Sequence, residues 1–315
     1  DVGEFRAATF TELFDGVKSL PWEDYIGKYD AFPVNGRSID SALFSIPDCQ
    51  SIVKKAIVER LKQKYHISHF EETGAEYRVR FFIYKNVASL MIDTSGEGLH
   101  KRGYRRKSND APLKETLGAA MCDLARIYPD TLMFDPFCGS GTLLIEAALK
   151  ATNTAPGLRR FFSAERFGFI PDNIWREERM RAQDLIVHNI EFRAQGFDTD
   201  PNAVALTNEN AEKAGMKKYV KASVGDVRDF TVPDERCLVI TNPPYGERLL
   251  DVKAAEELYA VMGQRFKEGC GRKYYIISPH DEFERFFGRE ADKRRKLYNG
   301  MIKCQLFMYF KNRER

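Results

Sequence analysis

Apolar positions along this chain of 315 residues recur first at mixed spacings and then as dense runs, and that change divides it. In "FTELFDGVKSL", Phe10, Leu13, Phe14, Val17 and Leu20 fall on one helical face. "AFPVNGRSI" reads as extended. "SIPDCQSIVKKAIVERLKQKY" opens on Pro47 and Asp48, a helix-start pair, and carries Ile52, Val53, Ala56, Ile57 and Leu61 in one stripe. Two extended runs, "EYRVRFFIYKN" and "VASLMIDTS", then meet at a polar turn around Lys85 and Asn86. Residues 1–98 therefore predict a small α+β unit.

A helix is expected at "APLKETLGAAMCDLARIY", with Pro112 near its first turn. From Thr131 onward, apolar runs alternate with helical stretches. "TLMFD", "RAQGFD", "YVKASV", "CLVITN" and "KYYIIS" are candidate buried strands, separated by "SGTLLIEAALKAT", "PNAVALTNENAEKAG", "AAEELYAVMGQRFKEG" and "DEFERFFG". That alternation predicts a doubly wound parallel sheet. The last run, "RRKLYNGMIKCQLFMYFKN", is instead an antiparallel hairpin turning at Asn299-Gly300. Between Lys150 and Arg193 the connection is too long for a simple crossover. "IPDNIWREERMRAQDLIVHNI" within it predicts a further helix, and the connection reads as an inserted flap or an extra helix rather than a separate domain.

With 43% apolar and 30% charged residues, the chain is an ordinary globular one. No run approaches the roughly 18 apolar residues of a membrane span. The first residues lack both a signal-peptide core and an initiator Met, which suggests a processed or truncated chain. Six scattered cysteines without a C-x-x-C pair favour reduced thiols and a cytoplasmic location. "HISH" has metal-like spacing but no acid or thiol cluster beside it, so no metal is expected. The net charge of +3 decides little, whereas its distribution matters. Lys101, Arg102, Arg105, Arg106 and Lys107 surround Tyr104 in a basic linker spanning 99–111, and "DKRRK" (292–296) is a second cluster. Both read as solvated charge or as phosphate contacts of a nucleic-acid-binding protein.

The chemistry concentrates at predicted strand ends. "LMFDPFCGSGTLLIEAA" is a strand ending in Asp135, then a turn whose Gly139 and Gly141 let a ligand approach the start of a helix. It is neither a dinucleotide fingerprint nor a phosphate loop, and an acid there suits a cationic amino-acid head. Asp198 ends the next strand, where an acid can accept ribose hydroxyls. Asp200, before Pro201, is a helix N-cap. Asp226 follows the third strand and can accept from an adenine amine. "NPPY" follows the fourth. There Asn242 and the carbonyl of Pro243 can accept hydrogen bonds from an exocyclic amine, Pro243 and Pro244 stiffen the loop, and Tyr245 can stack on a base. Four such groups at successive strand tips describe one crevice.

"DPFCGSGT", "GFDTDP", "GD" and "NPPYGERL" resemble the motifs of class I S-adenosylmethionine-dependent methyltransferases acting on exocyclic amines. "DTSGEGLHKRGYR" with "APLKETLGAAM" resembles one branch, the THUMP-domain RNA guanine-N2 methyltransferases, which includes enzymes of large-subunit ribosomal RNA. The similarity spans nearly the whole chain. It implies a Rossmann-like methyltransferase domain at 112–315 and a THUMP-type RNA-binding domain at 1–98, which family members usually precede with a further ferredoxin-like stretch. Position by position, Asp135 and Gly139 would hold the methionine moiety, and Gly141 would keep the turn open. Phe137, Cys138 and Thr142 complete that loop, Cys138 being read as a small packing residue and not a nucleophile. Asp198 would hold the ribose and Asp226 the adenine, and Thr116 would border the cofactor. The implied partner is RNA, 23S ribosomal RNA above all. Adenine-N6 of RNA or DNA and guanine-N2 of transfer RNA remain open as targets, as does a non-catalytic role in ribosome assembly.

Overall fold

The computed structural model describes residues 1–105, 113–245 and 249–311, with the side chains of 249–251 excepted. They form two compact units, one of Asp1–Gly98 with Phe161–Glu178, the other of Leu99–Arg160 with Arg179–Arg315.

In the first unit, strand β1 (Gly3–Arg6), helix α1 (Phe10–Ser19), β2 (Val34–Ile39), α2 (Ile46–Tyr65), β3 (Val79–Tyr84) and β4 (Val87–Ile92) follow in order. The sheet runs β1-β4-β3-β2, with only β2 and β3 parallel. Thr9 and Glu12 form a reciprocal cap at the start of α1. Leu13 and Val17 of α1, and Val53, Ile57 and Leu61 of α2, join Val79, Phe81, Ile83, Ala88 and Leu90 of the sheet in one core. Strand β1 was not foreseen, because four residues of "GEFR" are too few for a period to register.

Part of the long connection, Phe161–Glu178, returns to this unit, and it contributes the start of a further helix, so it is not simply a flap. Phe167 stacks on Tyr77 with ring centres 4.3 Å apart, and the Gly168 N–H donates to the Tyr77 hydroxyl at 3.0 Å. The Ala164 N–H donates to the Thr94 carbonyl at 3.1 Å. No apolar period marks this stretch. Its docking rests on aromatic faces and single backbone bonds.

The second unit comprises α3 (Glu115–Ala125), β5 (Leu132–Asp135), α4 (Thr142–Ala151), part of α5 (Asp172–Asp184), β6 (Arg193–Asp198), α6 (Pro201–Lys213), β7 (Val220–Val224), β8 (Leu238–Thr241), α7 (Leu249–Arg265), β9 (Lys273–Ser278), α8 (Phe283–Phe287), β10 (Lys293–Asn299) and β11 (Ile302–Tyr309). The sheet order is β10-β11-β9-β8-β5-β6-β7. Strands β5 to β9 are parallel, while β11 runs antiparallel to β9 and β10 antiparallel to β11. Strands β5, β8 and β9 are covered on both faces, which is why they are apolar without alternation, whereas β6 and β7 alternate buried with exposed positions. Met133, Leu238, Ile240, Tyr275 and Ile277 enter one core, and Phe134, Val239, Tyr274 and Ile276 the other. Among the described residues no helix is long and apolar enough to cross a membrane. All six cysteines are free thiols, and only Cys270 is exposed.

Candidate active site

The strand order reverses direction at β5, with β6 on one side and β8 on the other, and crevices form at such switch points. Asp135 stands at this point, 1% exposed. Its Oδ1 accepts from the Thr241 hydroxyl at 2.6 Å, at the end of β8, and from the Phe137 N–H at 3.1 Å. Burial pushes the Asp135 carboxyl up to about 7, and the nearby charge of Asp198 adds to the rise. A carboxyl whose charge is disfavoured by burial gains that charge when a cation arrives.

The loop after Asp135 is clamped from β6 and α6. The Cys138 N–H donates to the Phe197 carbonyl at 2.9 Å, and the Gly139 N–H to Asp198 Oδ2 at 3.0 Å. The Thr207 hydroxyl donates to the Gly139 carbonyl at 2.8 Å, and the Asn210 amide to the Ser140 carbonyl at 3.0 Å. Gly139 and Gly141 both have positive φ. A Cβ on Gly141 would meet the Thr207 methyl at 2.8 Å, whereas one on Gly139 would meet no heavy atom within 4 Å. Gly141 is thus needed for packing, and Gly139 borders open space beside the start of α4.

Asp198 accepts from the Gly139 N–H and, through Oδ1, from the Asp200 N–H at 3.0 Å. Each oxygen keeps a second lone pair for a ligand hydroxyl. Asp200 caps α6, its side chain accepting from the Asn202 N–H. Asp226 follows β7. The Arg228 N–H and guanidinium bond its two oxygens at 2.8 and 2.9 Å, and hold its carboxyl below the ordinary range. Thr116 is exposed on the first turn of α3, and Phe137 is half-buried against the second core.

Two loop residues turn away from a ligand. Cys138 is buried under Gly196 and Leu144, and burial pushes its thiol up to about 12, so its side chain packs. Thr142 is also buried, and its hydroxyl accepts from Arg105 at 3.0 Å.

Across the switch point, Asn242 and Tyr245 are half-buried, Pro243 is buried and Pro244 is exposed. The Tyr245 hydroxyl donates to Asn242 Oδ1. Its ring packs against the first core, and the hydroxyl lies beside Asn299 and Cys304. The ring expected to stack on a base therefore also orients the neighbouring carboxamide. From below, the Tyr259 hydroxyl donates to the Pro244 carbonyl at 3.3 Å.

The reading of the basic linker as phosphate contacts is corrected at Arg102, Tyr104 and Arg105. Arg105 donates to Ser140 Oγ at 3.4 Å, Thr142 Oγ1 at 3.0 Å and the Leu113 carbonyl at 3.2 Å. It also pairs with Glu115 at 2.8 Å, the two side chains being 9% and 3% exposed. Arg102 pairs with Glu146 at 3.4 Å, and the buried Tyr104 donates to the same carboxylate at 3.1 Å. Burial raises the Glu146 carboxyl, which the guanidinium opposes. Arg102, Tyr104 and Arg105 thus fasten the chain to α3, α4 and the glycine loop, and are not available to phosphates. Lys101 is exposed, and Arg106 and Lys107 lie outside the described residues. The missed signal was Glu146 itself, a lone charge in the apolar run "TLLIEAAL" that demanded a buried cation.

Open space at Gly139, carboxylates at Asp135 and Asp198, and the start of α4 fit a ligand with a cationic amino-acid head and a ribose. Comparison with known proteins gives that ligand a name. Residues 102–307 match the "RMKL-like, methyltransferase domain" family and residues 7–93 the THUMP domain. The chain is 43% identical to "Putative RNA methyltransferase YpsC" of Bacillus subtilis, over 98% of this chain and 81% of that one. It is 34% identical to "Ribosomal RNA large subunit methyltransferase K/L" of Shewanella pealeana over 95% of its own length, spanning 43% of that longer protein. Among solved structures, SMU.472 complexed with SAH superposes with a TM-score of 0.92 at 40% identity, covering 100% of this chain and 84% of that one. The chain belongs to the THUMP-bearing, RMKL-like methyltransferases, enzymes whose methyl donor is S-adenosylmethionine.

Proposed function

We propose that this enzyme methylates the exocyclic N2 amine of a guanine in RNA, with large-subunit (23S) ribosomal RNA as its substrate class. The observation that carries the reading is the Asn242 carboxamide, held by the Tyr245 hydroxyl at the tip of β8, one strand from Asp135. RNA is supported by the THUMP match and by the ribosomal RNA methyltransferase to which the chain is similar. In this reading residues 1–98 bind RNA and residues 112–315 carry the chemistry.

The donor, when bound, supplies an electrophilic methyl group. Asp135 pairs with its ammonium head, Gly139 leaves room for it, Asp198 accepts from the ribose and Asp226 from the adenine amine. The target nitrogen is a poor nucleophile because its lone pair is delocalised into the ring. Asn242 Oδ1 has one lone pair taken by Tyr245 and one left for an N–H of the amine. The Pro243 carbonyl accepts the other. Two acceptors so placed favour a tetrahedral nitrogen and offset the positive charge that develops on it. Prolines on both sides of that carbonyl reduce the freedom lost in setting the geometry.

Asn242→Ala should lower methyl transfer by at least about a hundredfold while calorimetric donor binding stays near that of the parent. A fully active variant would remove Asn242 from the mechanism. For the target, incubation with labelled donor and RNA from cells lacking the protein, followed by digestion, should yield N2-methylguanosine. Recovery of N6-methyladenosine, from RNA or DNA, would move the same chemistry to the other purine.

A further inference from the structure

The second basic cluster, at 292–296, is untouched by the mechanism, and its surroundings are unlike those of the first. Strand β10 is one of the two edge strands of the sheet. Lys296 and Tyr298 point to the same face two residues apart, and Tyr298 lies directly opposite Lys303 of β11. Tyr298 is 55% exposed, and the Lys296 ammonium lies 5.3 Å from the centre of its ring. Among the described residues neither Lys296 nor Lys303 is in an ion pair, whereas Arg294, further from the turn, is neutralised by Glu284. At the turn Met301 is 97% exposed.

The register places this surface. Gln305 of β11 pairs with Ser278, the last residue of β9. Residues 299–304 therefore project past the same sheet edge at which Asp135, Asp198 and Asn242 stand. Asn299, at the end of β10 and on the opposite face from Tyr298, lies beside the Tyr245 hydroxyl. From β8 to β10 is three strand spacings, about 14 Å, or about four stacked nucleotides. Lysines alone on an edge strand would read as guards against strand addition. A guard does not require an exposed aromatic ring between them.

We propose that Tyr298, flanked by Lys296 and Lys303, is a docking surface for single-stranded RNA beside the target pocket. The ring stacks on a base near the modified one, and the two ammonium groups hold adjacent phosphates. Charge complementarity and the exposed ring select this occupant, since stacking requires an unpaired base. The inference rests on the RNA reading above and extends it from a reaction to a path of approach.

The test uses the full chain, a short fluorescent single-stranded RNA of mixed sequence, and the same sequence as a duplex. Tyr298→Ala should weaken single-strand binding by about 5- to 100-fold, and Tyr298→Phe should restore it. Lys296→Ala with Lys303→Ala should lower the slope of log affinity against log salt by about 1.4. Calorimetric donor binding should not move in any variant. Single-strand binding of Tyr298→Ala within twofold of the parent, or equal losses on duplex and single strand, would overturn the platform. So would a parent protein that binds no single-stranded RNA. Methyl transfer is scored separately with labelled donor. A parent that methylates RNA while Tyr298→Ala binds normally loses the platform and keeps the function. One that methylates only DNA loses the function, and the binding arms still judge the platform.

Discussion

Two stretches of this chain pair cations with a tyrosine, and they end in opposite environments. In the first, Arg102 and Arg105 are nearly covered, locked to Glu146 and Glu115, with Tyr104 buried between. In the second, Lys296 and Lys303 flank an exposed Tyr298 on an edge strand. Composition does not separate them. The difference is which cations the acids reach: α3 and α4 each present one buried carboxylate to the first stretch, whereas Glu284 of α8 reaches Arg294 and, among the described residues, neither Lys296 nor Lys303 is in an ion pair. A buried cation requires such a partner, and a surface cation does not. In the first stretch Arg102 and Arg105 bond buried acids and so serve construction, while Lys296 and Lys303 stand beside an exposed ring on the open edge.

Breaking the first pairing should have the largest effect. Arg105→Ala leaves Glu115 buried without its partner and frees Ser140 and Thr142. It should cost about 3–5 kcal/mol of unfolding free energy and weaken donor binding through the glycine loop. Denaturant melts check the first and calorimetry the second. An unchanged melt would return Arg105 to the surface class.

The next effect concerns Asp135. Its carboxyl titrates near 7 in the fold, against about 4 unfolded. Between those values the native state holds a proton that the unfolded chain releases, so the ligand-free protein should lose stability as pH rises through this window, with no recovery above it. Asp135→Asn should flatten that decline and also weaken donor binding. Because a cationic head pairs with the ionised form, donor affinity in the parent should rise with pH up to about 7, with one proton released on binding. Calorimetry in two buffers of different ionisation enthalpy measures that proton. Zero release would detach Asp135 from the donor.

The smallest effect sharpens the comparison. Lys296→Ala should change unfolding free energy by less than about 0.5 kcal/mol, since nothing buried depends on it. A loss near that of Arg105→Ala would mean that the two stretches are equivalent after all.

Most elements were legible because their signals are local. The buried strands read as apolar runs, the Asn299-Gly300 turn as a hairpin, and Asp200-Pro201 as a helix start. The strand tips carrying Asp135 and Asn242 were legible for the same reason, since each acid or amide interrupts an apolar run, while Asp198 was marked by the Asp200-Pro201 helix start that follows it. What escaped depends on partners distant in sequence. Tyr104 meets Glu146 across 42 residues, and Thr241 meets Asp135 across 106. Nothing in "HKRGYRRK" announces an acid inside a later helix. Likewise, the Tyr245 hydroxyl bond to Asn242 depends on how the loop turns, which two prolines constrain but do not dictate.

The stacking of Phe167 on Tyr77 has a practical result for anyone dividing this protein. A fragment ended after residue 98 would strip an aromatic lid from its own interior, and a fragment begun there would carry Phe167, Ile170 and Trp175 as orphaned grease. Neither half is a contiguous piece of the gene, so the two must be synthesised together, and the first is not finished until the ribosome is well into the second.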